Sequence, residues 1–211
     1  MPISPKTAEL IRQLLGLVRP EIRDLARRLV RLLPSQLRHP IIGRIVGFLA
    51  QRIERMDLIG LQDSLADAVE IMSDEITKQV QNKAPKEKID ELEELKRMLE
   101  NIRERLKRAE NIEEEKNRII AELQAYQSIL EFFNTIEQKY VPEEKRKIEW
   151  EKIFKKLGDV INVVNEKGIQ KAVEFIKEKY PEARREIKKQ KREFLKGLKE
   201  GWQKGRKGSL I

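Results

Sequence analysis

Residues 89–133 read IDELEELKRMLENIRERLKRAENIEEEKNRIIAELQAYQSILEFF, and this stretch decides the fold. Its apolar residues recur in alternating steps of three and four, a spacing that places them on one side of a helix. One such seam starts at Leu92 and ends at Ala109, and a second starts at Ile119 and ends at Phe133. Charged residues flank both seams, so the pattern predicts long amphipathic helices that pack through their apolar sides.

The period is interrupted at Ile112, between the two seams. One interpretation is a single helix of about 50 residues with a stammer in its repeat. The other is an αα-hairpin, with Asn111 as the N-cap of the second helix and Glu113, Glu114 and Glu115 in its first turn. We favour the hairpin, because each half is long enough to bury one apolar stripe against the other.

The flanking sequence is also helical in its periodicity, and no Gly occurs between Gly60 and Gly158. Gly costs about 1 kcal/mol in a helix interior, so its absence favours long helices. A helix is predicted to start at Pro142 and to stop at Gly158, with a short helix from Asp159 to Gly168. The fold class is therefore all-α, a multi-helix assembly with a long central αα-hairpin or coiled coil and basic helical ends. The predicted units are a basic N-terminal helical domain (residues 1–82), the coiled coil or hairpin (85–140), a C-terminal helical region (142–200) and a basic flexible tail (201–211).

The net charge of +9 is unevenly distributed along the 211 residues. Residues 1–60 carry 11 Lys/Arg against 5 Asp/Glu, residues 61–140 sum to −6, and residues 141–211 sum to +9. Basic ends of this kind indicate a polyanion or an anionic surface as the partner, and the alternative is a charged face that is simply solvated. The Glu, Lys, Arg and Ile content, with one His and no Cys, is typical of thermophile proteins.

The most distinctive basic pattern is an Arg ladder, in which Arg19, Arg23, Arg27 and Arg31 follow one another at intervals of four. This spacing places their side chains on one helix face. Such a face can neutralise successive phosphates, lie on anionic lipid, or remain in water while the opposite face packs. With Arg12, these residues are the predicted nucleic-acid contacts at the N-terminal end.

A second basic pattern lies in residues 181–211, which hold eleven Lys/Arg and four Glu. The apolar stripe in this segment is thin, which suits a partner surface more than a deep core. The predicted nucleic-acid contacts at this end are Lys188, Lys189, Lys191, Arg192, Lys204, Arg206 and Lys207.

The central seam is the predicted oligomer interface, because apolar heptads commonly join helices of different chains. The residues expected there are Leu92, Leu95, Leu99, Ile102 and Leu106.

Enzyme chemistry is poorly represented in this sequence. His39 is the only His and there is no Cys, which excludes Ser-His, Cys-His and two-His arrangements within one chain. Clustered carboxylates can hold Mg²⁺, and one acidic helix face is predicted. That face comprises Asp63, Asp67, Glu70 and Asp74. Glu91 and Glu94 form a Glu-x-x-Glu pair, but the only Asp after Asp90 is Asp159, too distant to complete a metal site with a Glu-x-x-Asp motif. We therefore predict no enzyme, no cofactor, no metal and no small-molecule substrate.

The leading hypothesis is a non-enzymatic structural protein that packages or organises nucleic acid through its phosphates, independently of base sequence, and forms homo-oligomers. The alternative is a coiled-coil scaffold or adaptor that binds a protein partner or an anionic membrane surface. In the membrane case the apolar residues Ile41, Ile42, Ile45, Val46, Phe48 and Leu49 would insert. The longest stretch without a charge is eight residues, 123–130, far short of the roughly 20 of a membrane-spanning helix. We therefore expect a cytoplasmic protein, or one within a virion or nucleoprotein particle.

Overall fold

The computed structural model describes residue 13, residues 40–55 and 58–182, and the separate positions 185, 188, 189, 192 and 195–197. Within this part the protein is all-α and contains no strand, which confirms the predicted fold class at that level. Residues 1–39 of the predicted N-terminal domain lie outside the described residues apart from Gln13, as does the predicted tail at 201–211.

Six α-helices and one 3₁₀ turn follow one another within residues 40–182. They are α1 (Pro40–Arg55), α2 (Leu58–Gln81), α3 (Lys86–Glu110), α4 (Glu115–Tyr140), the 3₁₀ turn (Glu143–Lys145), α5 (Trp150–Lys167) and α6 (Ile169–Lys179). The principal contacts of each of these helices are with the helix before it and the helix after it in the chain. One continuous hydrophobic core joins all six of them.

The heptad seam of α3 lies inside this core. Its six residues are between 0% and 7% exposed: Leu92, Leu95, Leu99, Ile102, Leu106 and Ala109. Helix α3 packs against both α2 and α4, so the chain's own helices cover the seam. An oligomer formed through these side chains would require that packing to open, and the predicted oligomer interface at these residues stays a prediction.

The interruption at Ile112 coincides with a break between two helices, since α3 ends at Glu110 and α4 begins at Glu115. The prediction that Asn111 is the N-cap of the second helix is wrong. Asn111 instead closes the end of α3, where its N–H bonds to the Arg108 carbonyl at 3.1 Å and its side-chain amide donates to the Lys107 carbonyl at 3.2 Å. The last carbonyls of a helix need donors, and the Asn amide provides one.

The predicted helix start at Pro142 is also wrong, because α5 begins only at Trp150. Arg146 holds the intervening connection against the end of α4. Its Nε donates to the Val141 carbonyl at 2.9 Å, and its two Nη atoms donate to the side chain and the carbonyl of Gln138 at 2.6 and 2.7 Å. Residues 143–145 form a single 3₁₀ turn, and these bonds hold Arg146 in an extended conformation directly after it.

Helix α5 runs through Gly158, where a stop was predicted, and ends at Lys167, with Gly168 as its C-cap. A Cβ at Gly158 would meet nothing within 4 Å, and the neighbouring Leu157 and Val160 are buried. Packing on both sides of Gly158 therefore outweighs its low helix propensity. Gly168 has φ 83° and ψ 176°, a conformation essentially reserved for Gly, and it redirects the chain into α6.

Candidate nucleic-acid interface

Five basic residues are among the separate positions that the structure describes after Glu182. Arg185, Lys188, Lys189 and Arg192 are helical and exposed, and so are Leu195 and Lys196 further along. The steps of three and four between these six residues are the spacing of positions that share one side of a helix. We call these six residues the basic face.

Three of the predicted nucleic-acid contacts, Lys188, Lys189 and Arg192, belong to the basic face. The other predicted contacts lie outside the described residues: Arg12, Arg19, Arg23, Arg27, Arg31, Lys191, Lys204, Arg206 and Lys207. Sequence reasoning missed Arg185 and Lys196 as members of the same face. The steps of three and four that join them to Lys188 and Arg192 were the available signal.

Cations on the preceding helices are largely matched by nearby carboxylates. Residues 141–182 carry 10 Lys/Arg against 9 Asp/Glu, whereas residues 183–211 carry 11 against 3. Four Lys residues of α5 and α6 form ion pairs at 2.6–3.7 Å: Lys152 with Glu149, Lys156 with Glu182, Lys171 with Glu174 and Lys179 with Asp159. The excess positive charge of the C-terminal region therefore belongs to residues after 182.

The helical body itself is acidic. Residues 40–182 hold 26 Lys/Arg and 30 Asp/Glu, while residues 1–39 hold 8 against 3. A polyanion is repelled by a surface of its own sign. Contact with phosphates is therefore expected at the ends of the chain and away from the six packed helices.

An open face along the N-terminal half of α3 is rich in carboxylates. Its residues are Glu87, Asp90, Glu91, Glu94, Arg97, Met98 and Asn101. Two groups at the end of α4 border it. Lys139 Nζ donates to Glu94 Oε2 at 2.6 Å, which lowers the pKa of Glu94 through that hydrogen bond and the Lys charge. Tyr140 Oη donates to Glu91 Oε1 at 2.6 Å, and burial, followed by this bond, raises the pKa of Tyr140.

The second acidic face, on α2, consists of exposed side chains: Asp63, Asp67, Glu70 and Asp74. Among the residues that the structure describes, no group of three or more His, Cys, Asp or Glu side chains could hold a metal ion. The α2 carboxylates therefore form a solvated surface in this structure.

The apolar segment considered for membrane insertion belongs to the core. Ile42, Ile45, Val46 and Leu49 of α1 are buried, and Ile41 packs against the same cluster. Phe48 is partly covered by Arg44, whose Cζ lies 5.4 Å from the ring centroid. In the described part of the chain, every helix is too short or too polar to span a lipid bilayer.

Two carboxylates are buried on α4, and sequence reasoning missed both. Glu122 is 6% exposed and Glu137 is 0% exposed. The next step of four after Phe133 falls on residue 137, so the period indicated this burial. Arg118 Nε donates to Glu122 Oε1 at 3.1 Å, whereas Glu122 Oε2 and the hydroxyl of Tyr126, one turn away, are buried without a hydrogen-bond partner.

We expect Glu122→Gln to stabilise the protein at about pH 8, by about 1 kcal/mol, the scale of a buried unsatisfied polar group. Burial raises the pKa of Glu122, against the opposing hydrogen bond and charge of Arg118; Glu110 adds to the rise. The folded protein therefore favours protonated Glu122, and stability falls as pH increases from the unfolded-state pKa through the folded-state pKa. Gln cannot ionise and still offers an oxygen to Arg118.

Urea denaturation of both proteins at several pH values between about 4 and 8 measures this effect, over the range in which a raised Glu pKa titrates. The stability difference should grow with pH in favour of the Glu122→Gln variant. Glu131→Gln is the matched control, since it removes an exposed carboxylate from the same helix. A difference that stays constant with pH, or that shrinks as pH rises, would contradict the expectation.

Comparison with known proteins gives no match: no family model fits the chain, and neither a curated protein nor a solved structure is significantly similar to it.

Proposed function

We propose that this protein is a non-enzymatic structural nucleic-acid-binding protein that holds phosphate backbones through its basic ends and assembles into oligomers. The observation that carries the proposal is the basic face, in which Lys188, Lys189 and Arg192 are each helical and exposed and follow the three- and four-residue spacing of one helix side. Successive turns of a helix present cations about 5–6 Å apart, a spacing suited to neighbouring phosphates. Contacts of this kind carry no base-sequence information.

The acidic charge of the body supports different roles for the body and for the basic ends. The basic ends would bind the polyanion, and the body of α1 to α6 would act as a spacer that keeps bound strands apart. Within that body we propose that α3 and α4 act as an αα-hairpin, because they are joined by only four residues and pack on each other. The Arg ladder would serve as a second phosphate-binding surface.

The test is fluorescence anisotropy of a labelled random duplex of about 30 base pairs, at about 50 and 200 mM salt. Tight binding at low salt that weakens strongly at the higher concentration is expected. Charge reversal of Lys188→Glu together with Arg192→Glu should weaken binding about tenfold and reduce the salt slope by about two, since each phosphate contact contributes about 0.9 to the slope.

The matched control is Lys152→Glu together with Lys171→Glu. It makes the same change in net charge on cations that already face Glu149 and Glu174. We expect it to affect affinity much less than the basic-face variant. Equal effects of the two variants on duplex affinity would mean that binding depends only on the net charge of the protein and not on the basic face. No binding of duplex or single strand at low salt would refute the proposal.

A further inference from the structure

A groove between α3 and α4 collects hydrogen-bond donors from both helices. Arg105 and Arg108 line it from α3, and Gln124, Gln127 and Ser128 line it from α4. Arg105 Nη1 donates to Ser128 Oγ at 2.9 Å, so this guanidinium group reaches across from one helix to the other. The bond uses one of the five N–H donors of Arg105 and pairs it with a neutral hydroxyl group, so the other donors remain available to a ligand.

The two Arg residues of this groove are not matched by carboxylates. Arg118 and Lys139, both on α4, form ion pairs. Among the residues that the structure describes, the guanidinium group of Arg108 makes no hydrogen bond or ion pair, and that of Arg105 bonds only to a hydroxyl group. Glu131 also lines the groove, but it pairs with neither Arg. The groove therefore carries two positive charges against one negative charge.

The rest of the groove lining is apolar. Ala109 lies near the end of α3, Ile112 follows in the connection between the helices, and Ala121 lies in the second turn of α4. Ala109 is buried, and the other two side chains are half-buried. All three lie close in the chain to the connection between α3 and α4. The groove thus has an apolar end beside its cationic and amide-lined part.

This combination of groups suits a nucleotide. The planar guanidinium group of Arg binds two phosphate oxygens at once. A Gln amide both donates and accepts, which matches the edge of a nucleobase, and apolar side chains of a ligand site contact the face of a ring. A long polyanion would also meet the carboxylates elsewhere on the acidic body, whereas a free nucleotide contacts the groove alone.

We propose that the groove between α3 and α4 binds a free nucleotide. Arg105 and Arg108 hold its phosphates, and Gln124 and Gln127 contact its base. This inference goes beyond the proposed function and does not depend on it, since none of these residues belongs to the basic face. A ligand that bonds to both helices holds them together, so the folded chain should be more stable with the nucleotide bound.

The test is isothermal titration calorimetry of the full chain with adenosine diphosphate, without divalent metal and at about 0.1 M salt. Saturable binding at a single site is expected. Arg105→Gln with Arg108→Gln should weaken this binding about tenfold or more, because hydrogen bonds to charged groups are the strong ones. Arg103→Gln with Lys107→Gln is the matched control, since it removes two exposed cations of α3 that do not line the groove. It should leave the affinity close to that of the unmodified chain.

Inorganic pyrophosphate, as a second probe, separates contacts with the base from contacts with the phosphates. Gln124→Ala with Gln127→Ala should weaken the binding of adenosine diphosphate and leave the binding of pyrophosphate unchanged. A Gln variant that binds adenosine diphosphate as tightly as the unmodified chain would overturn the assignment of a nucleotide. No binding of adenosine diphosphate, or equal weakening by the α3 control, would overturn the site itself.

Duplex binding by the Arg105→Gln, Arg108→Gln variant separates this inference from the proposed function. The variant should bind the labelled duplex as tightly as the unmodified chain, because the proposed contacts with nucleic acid lie at the basic ends. A chain that binds adenosine diphosphate in the groove but binds no nucleic acid would refute the proposed function and support the nucleotide site. A loss of duplex affinity equal to that of the basic-face variant would assign the groove to a nucleic-acid strand and overturn the inference.

Discussion

We expect Leu99→Ala to lower the free energy of unfolding by about 2–5 kcal/mol, the range for removing a buried Leu side chain from a packed core. Leu99 is fully buried in the middle of α3, where α2 and α4 both pack on its helix. The cavity left behind could close only if helices on both sides moved together. Urea denaturation followed by circular dichroism measures the change.

Leu195→Ala is the matched control, because it makes the same chemical change at a residue that is 50% exposed. It should change stability by less than about 0.5 kcal/mol, as exposed substitutions usually do. The same experiment tests whether the heptad seam of α3 packs within one chain or between subunits. For a seam within one chain, the denaturation midpoint is independent of protein concentration. A midpoint that rises with concentration in the unmodified protein, but not in Leu99→Ala, would place the seam between subunits.

Gly168→Ala should destabilise the protein by about 1–3 kcal/mol, whereas Gly158→Ala should stabilise it by about 0.5–1 kcal/mol. Gly168 has φ 83° between α5 and α6, and a Cβ there forces strain into the backbone. Gly158 lies inside α5 with open space around its Cα, so Ala adds helix propensity without a clash. Thermal melts of the two variants measure these stability changes. We expect opposite signs, although both variants replace Gly by Ala. A stabilising Gly168→Ala would show that α5 and α6 can be joined by another backbone conformation.

The apolar period predicted the central part of the fold well. Leu92 and Leu99 in α3, and Ile119, Leu123 and Phe133 in α4, are all buried as their spacing indicates. What the period could not show is how wide the buried side of α4 is. Ile129, Phe132 and Ile136 are buried outside the predicted seam, because α4 packs against α3 on one side and α5 on the other. A heptad pattern describes the residues that contact one neighbouring helix. A helix that packs between two neighbours, as α4 does, buries residues along two sides.

Helix boundaries were predicted less well, because they depend on contacts distant in sequence. The Pro142 start fails where Arg146 bonds back to Gln138 and Val141, and the Gly158 stop fails where packing of Leu157 and Val160 continues the helix. The candidate site was predicted in part. Composition indicated that the C-terminal segment is basic, but the hydrogen bonds of Lys139 to Glu94 and of Tyr140 to Glu91 join residues that are 45 and 49 positions apart and could not be read from the sequence.

The chain-ordered packing of the helices has a consequence for biosynthesis. Contacts between segments that are close in sequence form quickly, because little chain entropy is lost in closing them. The chain from Lys86 to Tyr140, about 55 residues, takes about 3–11 s to synthesise at typical translation rates of 5–20 residues per second. Helices α3 and α4 are synthesised before α5 and contact each other directly, so they can pair first, and each later helix can then pack on a predecessor that is already formed.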